Sequence, residues 1–415
     1  MSKVLIHSLV FNPDGVSTAY LYNDIATKLK VSGFDVVVYT TTPHYNYQKS
    51  DDEKKLFKKK FLGLFYVSDY KGIPVNHINQ KKYKNTFKRL LGFVFFHIMS
   101  FFLILFEKNV KVILSPSPPL TLGFLNVILG KLKGAKVIYN VQEIYPDLLI
   151  SNGGLKSNTL IKLLKRMESF VYNFSNAVTT IDNIFYETIM TRFKDRSKLS
   201  IIPNFVDTEL YKPIDIESND LSDTDFPNTD DVKLMYAGNI GLAQEWDTLI
   251  RLAIELKDEK FSFFVIGDGA LKEKIIKAKI DHKLNKLYIL PYQERKKIPK
   301  LLAYSDIQFI FMNPRLDAHG FPSKVYTIMA CGKPMLIASS SNTPIVNFLI
   351  DKNCSFISNE TDSSKRVHDF ARFLRKSSKT DLQEMGERGV EVVKQSYSKE
   401  VVTSQYVNLV KKLLE

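Results

Sequence analysis

The chain has 415 residues, 45% of them apolar, with a net charge of +14 and two cysteines. That is ample for a core and for two or three domains of roughly 150 residues each, which sets aside a small disulfide-stapled scaffold; Cys331 and Cys354 instead suit a reducing compartment. The charge is one-sided: residues 1–205 hold 28 Lys and Arg against 14 Asp and Glu, and residues 206–415 hold 30 against 30. An anionic partner is therefore expected for the first half alone, with membrane phospholipid, a lipid diphosphate or nucleic acid as the candidates.

In chain order, Lys3–Val10 reads as a first β-strand; its short apolar run ends at Asn12-Pro13-Asp14-Gly15 without a small-residue cleavage pattern, so no signal peptide is expected. The periodicity predicts a helix over Ser17–Val31, followed by a strand over Asp35–Thr40. Residues 54–66 and 81–91 interleave Lys with Phe, Leu and Tyr, the pattern of segments that lie on an anionic membrane surface and a poorer match to nucleic acid. Leu90–Phe106 follows, with only His97 and Ser100 as polar side chains. It is at the short edge of a spanning helix, which needs about 20 apolar residues. Glu107 and Lys108 leave too little room for a connection on a far side before the next strand, Val110–Leu114, so a buried or membrane-dipping helix is expected in place of a span.

Strands Lys136–Val141, Ala177–Ile181 and Leu199–Ile202, with a helix over Asn158–Phe174, complete the first half. Residues 212–231 are nearly devoid of apolar side chains and read as a linker. The pattern then restarts with strands at Val232–Tyr236, Phe261–Ile266, Lys286–Leu290, Ile307–Met312 and Met335–Ala338. Continuous apolar strands separated by helices predict parallel sheets covered on both faces, and a pattern that runs twice predicts two Rossmann-like domains facing each other across a cleft.

Three features fall at the carboxyl ends of the later strands. Gly238-Asn239-Ile240-Gly241 ends one strand and Gly267-Asp268-Gly269 another. From His319 to Ala330 the sequence H-G-F-P-S-K-V-Y-T-I-M-A sets a Gly/Pro/Ser turn and Lys324 before an apolar helix starting at Ser323. A glycine after a strand is by itself only a tight turn. Glycine loops, helix-start amides and a cation on one sheet edge together describe a nucleotide diphosphate site. Asp223-Thr224-Asp225 has the form of a metal-binding D-x-D, but it lies in the linker with no strand before it, so no metal is expected. No Cys/His spacing resembles a zinc site and no Ser-His-Asp arrangement has supporting context.

Six segments, in order, carry a resemblance: Asn12-Pro13-Asp14-Gly15-Val16-Ser17, Ser115-Pro116-Ser117-Pro118-Pro119, Val141-Gln142-Glu143-Ile144-Tyr145-Pro146-Asp147, Ile202-Pro203-Asn204-Phe205-Val206-Asp207, Tyr236-Ala237-Gly238-Asn239-Ile240-Gly241 with Gln244, and Pro322-Ser323-Lys324-Val325-Tyr326. On these the chain resembles retaining family 4 glycosyltransferases of the GT-B fold, similar to bacterial surface-polysaccharide enzymes of the L-fucosamine transferase type. The resemblance implies an acceptor and membrane-facing domain over 1–205, a nucleotide-sugar donor domain over 206–396, and a C-terminal helix, 397–414, returning to the first domain. It implies a donor site of Gly238, Asn239, Gly241, Gly267, Gly269, Tyr292 beside the base, Arg315, His319, Ser323 and Thr327, and an acceptor side at Gly15 and His44. Lys324 is expected to stabilise the leaving diphosphate, while Glu143 and Asp147 position hydroxyls. No metal or other cofactor is implied; the implied partners are a nucleotide-sugar donor, UDP-linked because uridine is the commoner base in such enzymes, a lipid-diphosphate-linked saccharide, and an anionic membrane surface on the cytoplasmic side.

Two departures bear on this. Many family members carry a pair of Glu eight residues apart around the donor, where this chain has His319 and Thr327. Gly238 also lacks the following Arg and Lys, since Asn239 and Leu242 stand there. A nucleotide-sugar 2-epimerase of the same fold, or a non-catalytic partner that binds donor, are the alternative readings.

Overall fold

The computed structural model describes residues 2–44, 57–80, 85–151, 153–215, 226–227, 229–294, 297–317 and 321–415. The chain forms two compact units, Met1–Asn204 with Glu400–Glu415, and Phe205–Lys399.

The first unit is built on strands β1 (Lys3–His7), β2 (Asp35–Thr41), β3 (Lys58–Lys60), β4 (Phe65–Tyr70), β5 (Ile73–Ile78), β6 (Val110–Ser117), β7 (Lys136–Val141), β8 (Ala177–Thr180) and β9 (Leu199–Ile201). They lie in the order β3-β4-β5-β2-β1-β6-β7-β8-β9. From β5 to β9 neighbours run parallel, and β3-β4-β5 is antiparallel. Leu5, Ile6, Val38, Ile113 and Leu114 are buried, as a parallel sheet covered on both faces requires. The helix Lys399–Leu414 buries Val402, Tyr406 and Val410, and the Tyr406 hydroxyl is bonded to Thr179 of β8.

The second unit has β10 (Val232–Ala237), β11 (Phe261–Ile266), β12 (Leu287–Leu290), β13 (Ile307–Phe311), β14 (Met335–Ala338) and β15 (Ser355–Ser358), in the order β12-β11-β10-β13-β14-β15 and all parallel. Leu234, Phe263, Phe309 and Phe311 pack with Trp246, Leu249, Phe370 and Leu374 of the covering helices. The α/β class and parallel sheets expected from the strand pattern are what the chain forms.

Four expectations are corrected. β1 stops at His7 and not at Val10, because the Ser8 hydroxyl donates to the Val10 carbonyl at 2.9 Å and accepts from its amide at 3.3 Å, closing a local turn in place of the ladder. The segment after Phe57, read only as a membrane-surface run, forms β3 and then the β4–β5 hairpin, whose turn residues Lys71 and Gly72 both have positive φ, as tight two-residue hairpins require. The apolar helix starts earlier, at Thr86, where the Asn85 side chain caps the amides of Phe87 and Lys88; only Phe96, Ser100 and Ile104 of it are buried, so it is not a fully buried helix. The end of the expected linker is docked: Phe226 stacks on Phe264 at 5.9 Å, and the Tyr304 hydroxyl bonds the Pro227 carbonyl.

Candidate active site

Each sheet has one pair of adjacent parallel strands whose onward connections leave in opposite directions, β10 and β13 in the second unit and β1 and β6 in the first. Open α/β sheets bind ligands outside the carboxyl ends of strands at such points. Lys324 reaches the second-unit point from the helix Lys324–Ala330, which is anchored by buried Val325, Tyr326, Ile328 and Met329. Its Nζ lies 3.6 Å from the centroid of the Tyr236 ring and donates to the Ala237 carbonyl at 2.9 Å. Tyr236 is in turn fixed by Trp246 at 5.0 Å and Phe309 at 5.7 Å, and its hydroxyl donates to the Asn239 carbonyl. Trp246 Nε1 donates to the Gly241 carbonyl at 3.0 Å, so one aromatic pair supports both the cation and the glycine loop. Part of the lysine remains open, but its ammonium end is the packed part, and the loss of water pulls its pKa down to about 7.

The glycines fit a backbone-on-backbone contact. Gly238, Gly267 and Gly269 have φ of 150°, 145° and 156°. A Cβ on Gly267 would stand 1.9 Å from the Gly238 carbonyl oxygen, and one on Gly269 2.4 Å from that of Ile240. Gly238 N donates to the Ile266 carbonyl and Ile240 N to that of Asp268, locking the two loops together. A Cβ on Gly238 would meet Lys324 Nζ at 2.8 Å, so that glycine is what lets the ammonium in. Asn239 is exposed between them, and its side chain lies against Gly241.

The other expected donor residues are spread along the same sheet edge. Tyr292 follows β12 and is 70% exposed. Arg315 is exposed in the loop after β13, where Asn313 Nδ2 donates to the Leu242 carbonyl at 2.8 Å. Ser323 is exposed and makes no side-chain cap bond, and Thr327 is half-buried one turn beyond Lys324. His319, Asp223 and Asp225 lie outside the described residues. Among the described residues no group of three His, Cys, Asp or Glu could hold a metal ion. Sequence reasoning missed Tyr236 as the lysine's support, because a strand tyrosine reads as core.

In the first unit the loops carrying Gly15 and His44 meet. Asp14, 2% exposed, accepts from the His44 amide at 2.9 Å, and the His44 ring nitrogen Nδ1 lies 2.8 Å from the Thr42 carbonyl oxygen. Glu143 follows β7; the Ser117 hydroxyl donates to its carbonyl at 2.9 Å, and burial pushes its carboxyl up while a bond from Tyr145 opposes the rise. Asp147 differs. Its carboxylate is paired with Arg192, whose Nη1 also holds the buried Glu168 at 2.5 Å. Burial raises Glu168 to about 7 against the pull of Arg192. Asp147 is thus part of an ion cluster that sequence spacing did not reveal, since its partner is 45 residues away.

These features agree with what the chain is similar to. Residues 219–391 match the sequence model of the family described as glycosyl transferases group 1. The chain is 25% identical over 311 residues to the Pseudomonas aeruginosa chain named as glycosyltransferase WbjE, covering 73% of this chain and 75% of that one. It is 24% identical over 352 residues to the Escherichia coli K12 chain named as colanic acid biosynthesis glycosyl transferase WcaI, covering 83% and 84%. Among solved structures it superposes on sucrose-phosphate synthase from Thermosynechococcus elongatus with a TM-score of 0.74 at 12% identity, covering 100% and 99% of the two chains. It superposes on Anabaena Alr3699/HepE in complex with UDP with a TM-score of 0.70 at 14% identity, covering 99% and 100%. The fold is that of the GT-B glycosyltransferases. The family model covers residues 219–391, and the two named relatives are each about a quarter identical to this chain.

Proposed function

We propose that this chain is a retaining, metal-independent glycosyltransferase that moves a sugar from a nucleoside diphosphate, with uridine as the base, to a lipid-diphosphate-linked saccharide at the cytoplasmic face of a bacterial membrane, in surface-polysaccharide assembly. The observation that carries it is Lys324: a cation with its ammonium packed on a ring and a carbonyl, at the sheet reversal, beside the Gly238 loop that interlocks with the Gly267 loop. The name of WcaI and the UDP bound to HepE support the product class and the base.

The chemistry follows from charge. As the sugar–phosphate bond breaks, negative charge builds on the departing phosphate, and a fixed cation in a poorly hydrated site stabilises it most where it develops. Lys324 supplies that charge. Retention then follows from attack on the face that the phosphate leaves, with the phosphate taking the acceptor proton. To Glu143, whose carboxyl is raised by burial just past β7, we assign the orienting of an acceptor hydroxyl. Asp147 is paired with Arg192 and sets a negative charge in the first turn of the short helix it opens.

The test is a thermal-shift panel of UDP, GDP, ADP and dTDP, since a ligand of the folded state alone raises the melting temperature by mass action. A shift with UDP and none with the others supports the reading; no shift with any of the four overturns the donor site. Labelled donor then separates the outcomes: label moved to a lipid-linked acceptor is transfer, a product still nucleotide-linked is epimerisation, and binding without turnover is a non-catalytic partner.

A further inference from the structure

The helix Thr86–Phe106 has two unlike faces. Phe96, Ser100 and Ile104 are buried, and Phe96 packs with Phe65, Ile78 and Leu122. Val94, Ile98, Phe102 and Phe106 repeat at the same spacing two residues out of step, about 200° round the helix, and all four are exposed, Phe106 at 76%. Over its most apolar window only 17% of the helix is buried inside the unit. A crossing is excluded by topology, because the helix joins β5 to β6 within one sheet and His97 Nε2 lies 2.9 Å from Thr121 Oγ1 of the following helix. An apolar stripe is left facing outward along about three turns.

What lies beside the helix identifies what covers its stripe. Phe61 stands 5.7 Å from Phe65, which shares a cluster with Phe96, so the tip formed by Phe61 and the 99% exposed Leu62 adjoins the helix. Lys58, Lys59 and Lys60 are exposed directly before that tip, and Lys88 and Arg89 are exposed in the helix's first turn. The whole excess of positive charge lies in residues 1–205, which include this helix and tip. A bilayer with anionic lipid offers acyl chains to the stripe and phosphates to the cations, whereas a second copy of the same face would bring like charges together.

We infer that the helix Thr86–Phe106 lies in the plane of one leaflet of an anionic bilayer, with Val94, Ile98, Phe102 and Phe106 at acyl-chain depth and Phe61-Leu62 as a second point of insertion. This rests on the membrane location proposed above and states how the contact is made. It makes the first unit a monotopic one, held by insertion of its exposed apolar stripe and not only by surface charge.

The full chain can be tested directly. Cys331 and Cys354 are both buried, so Phe102→Cys supplies one accessible thiol for a nitrobenzoxadiazole label, and Lys277→Cys in the second unit supplies the control. With vesicles of phosphatidylethanolamine and phosphatidylglycerol, the probe at 102 is expected to shift to the blue and to be quenched by acyl-chain spin labels, while the probe at 277 stays in water. Ile98→Glu combined with Phe102→Glu should weaken vesicle binding roughly tenfold or more with the UDP thermal shift kept. A chain that sediments with the vesicles while its probe at 102 stays in water overturns insertion and leaves the membrane location standing. A chain that does not sediment overturns both, and a vesicle-free dimer that shields the probe assigns the stripe to a second copy. If the glutamate pair loses its UDP shift through misfolding, the quenching result alone decides.

Discussion

Lys324 has a ring face and one carbonyl for company, and its proton is held loosely as a result. Its folded pKa of about 7 lies below the ordinary 10.5, so between those values the unfolded chain binds the extra proton. The cost of burying the charge is in full force below pH 7, and stability rises with pH through that window. A bound diphosphate acts in the opposite direction because it favours the protonated lysine. At about pH 8, calorimetry in buffers of different ionisation enthalpy should therefore show proton uptake on UDP binding by the wild type and none by Lys324→Met. Lys324→Ala should abolish transfer and weaken UDP binding by about 1.5–3 kcal/mol, the range for a hydrogen bond to a charged group; unchanged affinity and rate would remove the residue from the mechanism. This lysine was legible in the sequence because a lone cation after a Gly/Pro/Ser turn is conspicuous. Tyr236 beneath it and Arg192 beside Asp147 were not, since contacts that depend on tertiary packing leave no local spacing to read.

Among the elements, the parallel strands were the easiest to read, being continuous apolar runs such as Phe261–Ile266. The β4–β5 hairpin was hidden because Lys and aromatic residues alternate around it and its turn is Lys-Gly, weaker punctuation than Asn-Gly. Length and composition announced the helix Thr86–Phe106, but which face would be covered depends on Phe65, Ile78 and Leu122, which arrive from elsewhere. The glycine loops were located correctly on sequence grounds, and the structure adds the reason for two of them. With a Cβ at Gly267 only 1.9 Å from the Gly238 carbonyl, Gly267→Ala must push one loop off the other at a strained φ. It is expected to cost the second unit more than about 1–3 kcal/mol, the scale of backbone strain alone, measured as a fall in the urea midpoint. A stable Gly267→Ala variant with normal UDP binding would show that the loops tolerate separation.

At the scale of the whole molecule, transfer activity should survive an excess of chelator, assayed with labelled donor. Full loss restored by Mn²⁺ would bring Asp223 and Asp225 into the mechanism and count against the charge-based account of Lys324. The two-unit division has a further effect. Residues Glu400–Glu415 complete the unit that opens the chain, with Tyr406 bonded to Thr179 and Glu400 paired with Lys28. Removing 400–415 is therefore expected to broaden or abolish the melting of the first unit while the second keeps its UDP shift, resolvable by differential scanning calorimetry with and without nucleotide. On the ribosome the order of completion is the reverse of the order of synthesis. The second unit is a continuous stretch and has every residue it needs before the first does, so the earlier-made sheet stays without its closing helix, Val402, Tyr406 and Val410 still to come, until residues 400–415 have been added.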